Sequence, residues 1–325
     1  MTLSTTAQDQ QTGKDQPAGK DLNSQAHYEA ALAQNGRTFH WARRFLGAKH
    51  GPYAARLYAF CRLLDDLADG DLPDGAARLK IISDDLSRLS QDPAASANDP
   101  DMAAFAPFMQ DRQLPAHALR HLIDGLEFDQ GTVALQTVDE LVIYGYQVAG
   151  TVGLMMCPIL SCHDKRAQDF AIDLGIAMQL TNIARDVSED AQMGRRYLPA
   201  DWTDNLSASD IAQGAASGDI IVIATIQSAI AKTLALAERY YDSGLSGLAF
   251  LPKRAQIAIA IAAVSYRQIG RQLSANNLNW HQGRTVTSTA TKAALSLSCL
   301  PYLLPQSRPH THDKALHTSL NGYAK

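Results

Sequence analysis

The chain has 325 residues, 46% of them hydrophobic, and its 29 Lys+Arg against 33 Asp+Glu leave a net charge of −4. That composition is too apolar and too balanced for a disordered chain, too long to need disulfide staples, and lacks the basic excess that nucleic acid demands. Cys61, Cys157, Cys162 and Cys299 form no CxxC pair, which argues against a zinc ribbon or a disulfide framework and fits a reducing, cytoplasmic setting.

In chain order, residues 1–25 are polar, lack the apolar core of a signal peptide, and are expected to form a disordered leader. A single all-α domain is expected over 26–305. Apolar residues recur at helical spacing through 38–45, 54–68, 76–89, 116–126, 139–160, 165–187, 220–241, 253–273 and 287–300. Turn chemistry separates these runs at Gly51-Pro52, Pro73-Asp74-Gly75, Asp92-Pro93, Asp99-Pro100 and Leu251-Pro252. Alternating runs bounded by hairpin turns are nearly absent, so no sheet is expected. Helices this long and apolar must bury most of their circumference around a common core. The longest unbroken apolar runs, 148–160 and 257–264, are shorter than the roughly 18–20 residues of a spanning helix. A peripheral position on the inner face of a membrane stays compatible with the sequence, through Phe39, Trp41 and Phe45 among Arg43, Arg44 and Lys49. Residues 306–325 are expected to be a flexible tail.

Two polar stripes interrupt the apolar helices. Tyr58, Arg62, Asp65 and Asp69 stand at offsets 0, 4, 7 and 11, a sector of roughly 60° at about 100° per residue. Gln179, Asn182, Asp186 and Asp190 stand at 0, 3, 7 and 11, a sector of roughly 80° by the same arithmetic. Each stripe ends in Asp-x-x-x-Asp, a like-charge i,i+4 pair that is mildly unfavourable alone and much worse when buried without a counter-charge. A lone acidic pair is more often a solvated helix face, as expected for Asp84/Asp85 beside Arg88. Two such pairs, each flanked by apolar helix and continued by an aligned Tyr/Arg or Gln/Asn, are hard to obtain by chance.

Hard oxygen donors on two facing helices suit Mg²⁺, which is held jointly by protein carboxylates and substrate phosphates. Arg62, Arg195 and Arg196 lie where they can take the remaining phosphate oxygens. With no Walker A or GxGxxG loop in the chain, diphosphate ionisation in an apolar helical cavity points to isoprenoid chemistry.

The runs YAFCRLLDDLAD (58–69), YGYQVAGTVGLMM (144–156) and GIAMQLTNIARDVSEDAQMGRRYLP (175–199) resemble the squalene/phytoene synthase family. The likeness extends from about residue 35 to 300 through RTFHWARRF (37–45), LPKRAQIAIAIAAVSYRQIG (251–270) and RTVTSTATK (284–292). It implies an all-α isoprenoid synthase fold, with two Asp-rich helices facing each other across a cavity. It also implies head-to-head condensation of two prenyl diphosphates with release of both diphosphates. Carried onto this chain, Asp65, Asp69, Asp186 and Asp190 match the two metal-binding motifs, with Asn182 beside the second. Arg62, Arg195 and Tyr197 match diphosphate contacts. Thr38, Phe39 and Tyr58 match positions near the leaving group, although Ser is commoner than Thr at the first. Gln179, Tyr144, Tyr266 and Arg284 match further active-site positions.

The expectation is a Mg²⁺-dependent prenyltransferase, with Mn²⁺ a substitute and no organic cofactor, that joins two geranylgeranyl diphosphates into phytoene. Its alternatives are a C30 enzyme acting on farnesyl diphosphate, an inactive lipid-binding relative, and a class I terpene cyclase. Of the remaining features, Gly145, Gly150 and Gly153 read as close helix packing or as room for substrate chains, and both readings can hold. His117 and His121 have the spacing of a metal pair without a third ligand, and read as helix surface.

Overall fold

A computed structural model describes residues 37–283 and 311–323, with residues 291, 294–296 and 299 between them. The expected leader, most of the expected 287–300 helix, Arg284 and the side chains of Thr38 and Phe39 lie outside the described residues. Among the described residues the elements are helical, and strand-like pairing is confined to an isolated bridge between Ala134 and Arg196.

Helix α1 (Arg37–Ala68) runs through Gly51-Pro52, which the sequence reading took as a break, and bends instead at Gly47. There φ is 71°, a left-handed value that glycine adopts without strain. Helices α2 (Gly75–Gln91), α3 (Pro100–Asp111) and α4 (Ala116–Asp129) follow. The expected 139–160 helix is divided into α5 (Val138–Gly145), a π-helical turn at Tyr146–Gly150, and α6 (Thr151–Ile159). The expected 165–187 helix ends earlier, as α7 (Arg166–Arg185), and α8 (Val187–Gln192) continues after Asp186. Helices α9 (Ala208–Ser217), α10 (Ile220–Ser246) and α11 (Lys253–Ala275) complete the main body.

Periodicity missed α3 and α9, and both are announced by their caps. The Asp99 side chain accepts from the N–H groups of Asp101 and Met102, with Pro100 in the first turn of α3. Ser207 and Asp210 form a reciprocal capping box for α9, which stops at Gly218 with φ 72°. The Asp84/Asp85 expectation is half right. Asp84 is exposed, whereas Asp85 is fully buried, pairs with Arg88, and accepts from the N–H groups of Asn98 and Asp99 at 2.8 Å each. A buried carboxylate must be saturated with donors, and the loop leading into α3 supplies them.

Helix α7 is the central beam. It packs along α10, α6 and the π turn, and also touches α11, while α1 lies on α11 and α4 on the π turn and α6. The enclosed space is the principal cavity. On one side backbone meets backbone. A Cβ on Gly153 would lie 2.2 Å from the Ala171 carbonyl oxygen, and one on Gly175 would lie 2.3 Å from that of Ala149. Close packing is therefore sufficient to explain Gly153.

Residues 311–323 depart from the expected flexible tail. A 3₁₀ helix (Lys314–Leu320) docks on the body with Leu316 and Leu320 buried, and the Tyr240 hydroxyl donates to the Leu316 carbonyl at 2.7 Å. Two helical stretches, Val138–Ile159 and Ile220–Phe250, are long and apolar enough to cross a membrane by length and composition, which counting unbroken runs did not reveal. Both pack against α7 within this fold.

Gly153→Ala is expected to destabilise the protein by about 1–3 kcal/mol, the usual cost of overpacking. Gly131→Ala, whose methyl would meet only an ordinary contact at 3.5 Å, is the comparison that should stay near wild type. Urea unfolding of the two variants checks this.

Candidate active site

The first stripe runs down the second half of α1. Arg62 Nη1 donates to Asp65 Oδ2 at 2.6 Å, and Nη2 pairs with Asp66, which the stripe did not include. The second stripe crosses the junction of α7 and α8 without losing register. Asp186 has φ −102° and ψ 15°, yet its N–H reaches the Asn182 carbonyl, and the Asp190 N–H reaches the Asp186 carbonyl, both at 2.9 Å. Helical hydrogen bonding thus continues across the break and keeps both aspartates on the expected face. Asp186 is gripped by its neighbour Arg185, whose Nε donates to Oδ1 at 2.6 Å.

Arg195 joins the two stripes. The turn after α8 passes through Gly194 at φ 79° and brings the Arg195 N–H back to the Asp190 carbonyl at 2.8 Å. The side chain then reaches the other stripe, where Nη2 donates to Asp69 Oδ1 at 2.9 Å. Burial opposes its charge, but Tyr197, Asp69 and Asp129 hold the Arg195 pKa above the ordinary arginine value.

Asp129, at the end of α4, belongs to the same cluster and was missed from the sequence. Its oxygens accept from the Tyr144 and Tyr197 hydroxyls at 2.8 Å each, and those two rings stack with centroids 4.7 Å apart. No acidic or amide residue precedes it at helical spacing, since Gly125 and Leu126 occupy those places. A stripe search had nothing to find.

The carboxylates are crowded. Burial pushes the Asp190 carboxyl up to about 8, with Asp186 adding repulsion and Arg195 opposing it. Burial likewise lifts Asp65 to about 6, against the pull of Arg62 and with the push of Asp69 and Asp66. Asp129 also rises to about 6 through burial, opposed by its two tyrosine hydrogen bonds. The Tyr58 hydroxyl is pushed up to about 12 by burial and by Tyr266. Shifts of this size from burial and like charge are typical of functional clusters.

A cavity of about 410 Å³ reaches the acidic cluster at Asp65 and Asp129, whereas Asp69, Asp186 and Asp190 lie outside its wall. Tyr58, Arg62, Asp65, Asp129, Tyr144, Gln179, Asn182 and Tyr266 line its polar end. The rest of its wall is apolar, with Leu46, Val148, Met156, Phe170, Leu174 and Leu251 among its side chains. Asn182 Nδ2 donates to Gln179 Oε1 at 3.3 Å, which leaves the buried Asn182 Oδ1 without a hydrogen-bond partner.

Two sequence readings need correction. Arg196 was grouped with Arg195 as a phosphate ligand, but it is buried and donates to the carbonyls of Leu135 and Leu198 at 2.7 and 2.6 Å. Its guanidinium pins the loop from which Arg195 projects. His121 is not simple helix surface, since its Nδ1 lies 3.0 Å from the Tyr146 hydroxyl and its ring meets Tyr323.

Comparison with known proteins agrees with this geometry. Residues 32–291 match the family model for squalene/phytoene synthase. A 15-cis-phytoene synthase from Enterobacter agglomerans is 37% identical over 270 residues, covering 80% of this chain and 89% of the relative. Another from a Paracoccus species is 34% identical over 274 residues, covering 82% and 87%. The solved structure of a dehydrosqualene synthase superposes with a TM-score of 0.71 at 26% identity, covering 86% of this chain and 96% of that one. With two carboxylate-bearing helices bridged by Arg195 over an apolar cavity in an all-α isoprenoid synthase fold, the chain belongs to the squalene/phytoene synthase family.

Proposed function

We propose that the protein condenses two molecules of geranylgeranyl diphosphate head to head into phytoene, through prephytoene diphosphate, with release of two diphosphates. The observation that carries this reading is the polarity of the cavity. A polar end formed by Tyr58, Arg62, Asp65, Asp129, Gln179 and Asn182 gives onto a wall of aliphatic side chains. An isoprenoid diphosphate has the same two-part character. The names of the similar enzymes support the twenty-carbon substrate and the product.

Asp65, Asp69, Asp186, Asp190 and the amide oxygen of Asn182 would hold divalent cations, and these residues fit that task. The Asn182 oxygen is buried without a partner, and burial, with like charge added, lifts the carboxyls of Asp65 and Asp190 toward proton uptake. Magnesium ions there would neutralise the leaving diphosphates. Arg62 and Arg195 would take further phosphate oxygens, exchanging their carboxylate partners for substrate.

After departure of the first diphosphate, C1′ of one chain is attacked by the C2–C3 double bond of the other. Loss of a proton closes the cyclopropane, and departure of the second diphosphate allows rearrangement and a second proton loss. Tyr58, Tyr144 and Tyr197 would screen the cationic carbons with their ring faces. Asp129 would act as a positioning residue, since it fixes both Tyr144 and Tyr197 through their hydroxyls.

Incubation of the purified protein with C20 and C15 diphosphates, followed by identification of the hydrocarbon, tests the proposal. Phytoene from the C20 substrate is the expected product. Turnover of the C15 substrate alone would overturn the chain-length assignment.

EDTA should abolish turnover and Mg²⁺ restore it. Cation binding requires ionised carboxylates, and burial holds Asp65 near about 6 and Asp190 near about 8. Apparent metal affinity should therefore rise as pH increases from 6 to 8, with protons released on binding. Calorimetry at neutral pH in buffers of different ionisation enthalpy checks this. In the metal-free protein the same raised values favour folding at low pH, and that contribution is lost as pH climbs through about 8.

Asp69→Asn and Asp190→Asn should each lower kcat at least about a hundredfold, or about 2.7 kcal/mol at 1.36 kcal/mol per decade. Metal-free stability of Asp190→Asn should be unchanged or slightly higher because like-charge repulsion is relieved, and Asp69→Asn, which also gives up its ion pair with Arg195, should change by no more than about 1 kcal/mol. Asp84→Asn, on an exposed face, should behave as wild type. The double variant should lose less than the sum of the singles if the two stripes serve one cluster.

A further inference from the structure

We propose that Asp173, His312 and His317 form a binding site for a zinc-class divalent cation, separate from the acidic stripes. The three come from distant parts of the chain, Asp173 from the middle of α7 and the histidines from the docked 311–323 segment. Their ligand atoms all lie within 4.8 Å of one another. His312 Nε2 is 2.8 Å from Asp173 Oδ2, and His317 Nε2 is 2.7 Å from Oδ1, so each imidazole addresses its own oxygen. The Asp173 side chain is fully buried, and those of His312 and His317 are only 7% and 14% exposed.

Charge explains why hydrogen bonding alone is a poor account of this cluster. A fully buried carboxylate requires a nearby positive charge. Among the described residues, the ion pairs of Asp173 are with these two imidazoles, and neither a lysine nor an arginine bridges it. One protonated histidine would balance it, so two convergent rings exceed what charge requires. Asp169 lies on the far side of His317, with Oδ1 3.8 Å from Nδ1. A divalent cation between Asp173 and the two Nε2 atoms would be balanced by these two carboxylates together.

The donor set also selects the metal. Two imidazoles and one carboxylate suit zinc and its neighbours rather than Mg²⁺. The outer groups match what such a site uses. Ser243 donates its hydroxyl to Asp173, and Asp169 stands 3.8 Å from the second nitrogen of His317, beyond hydrogen-bond reach but near enough to balance charge. The three ligand atoms, all within 4.8 Å of one another, would have to settle at the roughly 3.0–3.6 Å separations of a tetrahedral ion with bonds near 2.0–2.1 Å. A water would complete the shell. The cation would fasten the 311–323 segment to the helix whose next turns carry Gln179 and Asn182.

The test uses the full-length protein stripped with a chelator selective for transition metals. Titration with Co²⁺ should give an intense visible spectrum of tetrahedral type at one equivalent, and Zn²⁺ should bleach it and raise Tm. Excess Mg²⁺, which the acidic stripes take, should leave the Co²⁺ spectrum unchanged. His317→Gln, which can still hydrogen-bond Asp173, should lose the spectrum and the Zn²⁺-dependent rise in Tm. Asp69→Asn/Asp190→Asn should keep both, which separates this site from the catalytic stripes. A wild-type protein without the tetrahedral spectrum would overturn the assignment. So would a His317→Gln variant that binds Co²⁺ as wild type does.

Discussion

Asp65 and Asp129 line the polar end of one apolar cavity with Asp69, Asp186 and Asp190 on the adjoining stripes, and holding these carboxylates near one another is the constraint to which the surrounding structure responds. Like charges in a poorly solvated place are tolerable only when cations are placed among them. Arg62 answers Asp65 and Asp66, Arg185 answers Asp186, and Arg195 reaches across to Asp69. Burial, with like charge added, still raises the carboxyls of Asp65, Asp129 and Asp190. A cluster left short of positive charge is stable enough to fold and receptive to divalent cations.

Such an arrangement needs a scaffold that does not yield. Helix α7 supplies it by touching α6 at Gly153 and the π turn at Gly175, both at backbone distance, so that α7 cannot slide without steric overlap. Arg196, bonded to the carbonyls of Leu135 and Leu198, fixes the base from which Arg195 extends. The docked 311–323 segment braces α7 from the side away from the acidic mouth, with its histidines on Asp173 and its leucines in the core. Adjacent residues thus divide the work, Arg195 facing the site and Arg196 holding the loop.

The parts that sequence missed share a physical cause. Helix α3 is only weakly amphipathic and contains Pro107, whereas α9 is amphipathic but, at 10 residues, too short to fill a periodicity window. Their caps at Asp99 and Ser207 were the better signal, because an N-cap depends only on neighbours in the chain. Asp85 and Asp129 have no local signature. Asp85 is burdened by loop N–H groups beyond its own helix, and Asp129 by two tyrosines from later in the chain. The 311–323 segment resembled a tail because its anchors are single residues, and their partners lie on α7 and α10.

By itself the sequence determined the all-α class, most of the long helices and the two polar stripes, because helical periodicity and i,i+4 spacing are local properties of the chain. Its motifs also carried the family resemblance. Only the tertiary structure decided that the stripes meet through Arg195 and Asp69, that Asp129 joins them, and that Arg196 turns away. It alone decided that two histidines near the end of the chain converge on a buried aspartate. Those outcomes depend on contacts between residues far apart in sequence, and burial and charge compensation are settled only when the helices pack.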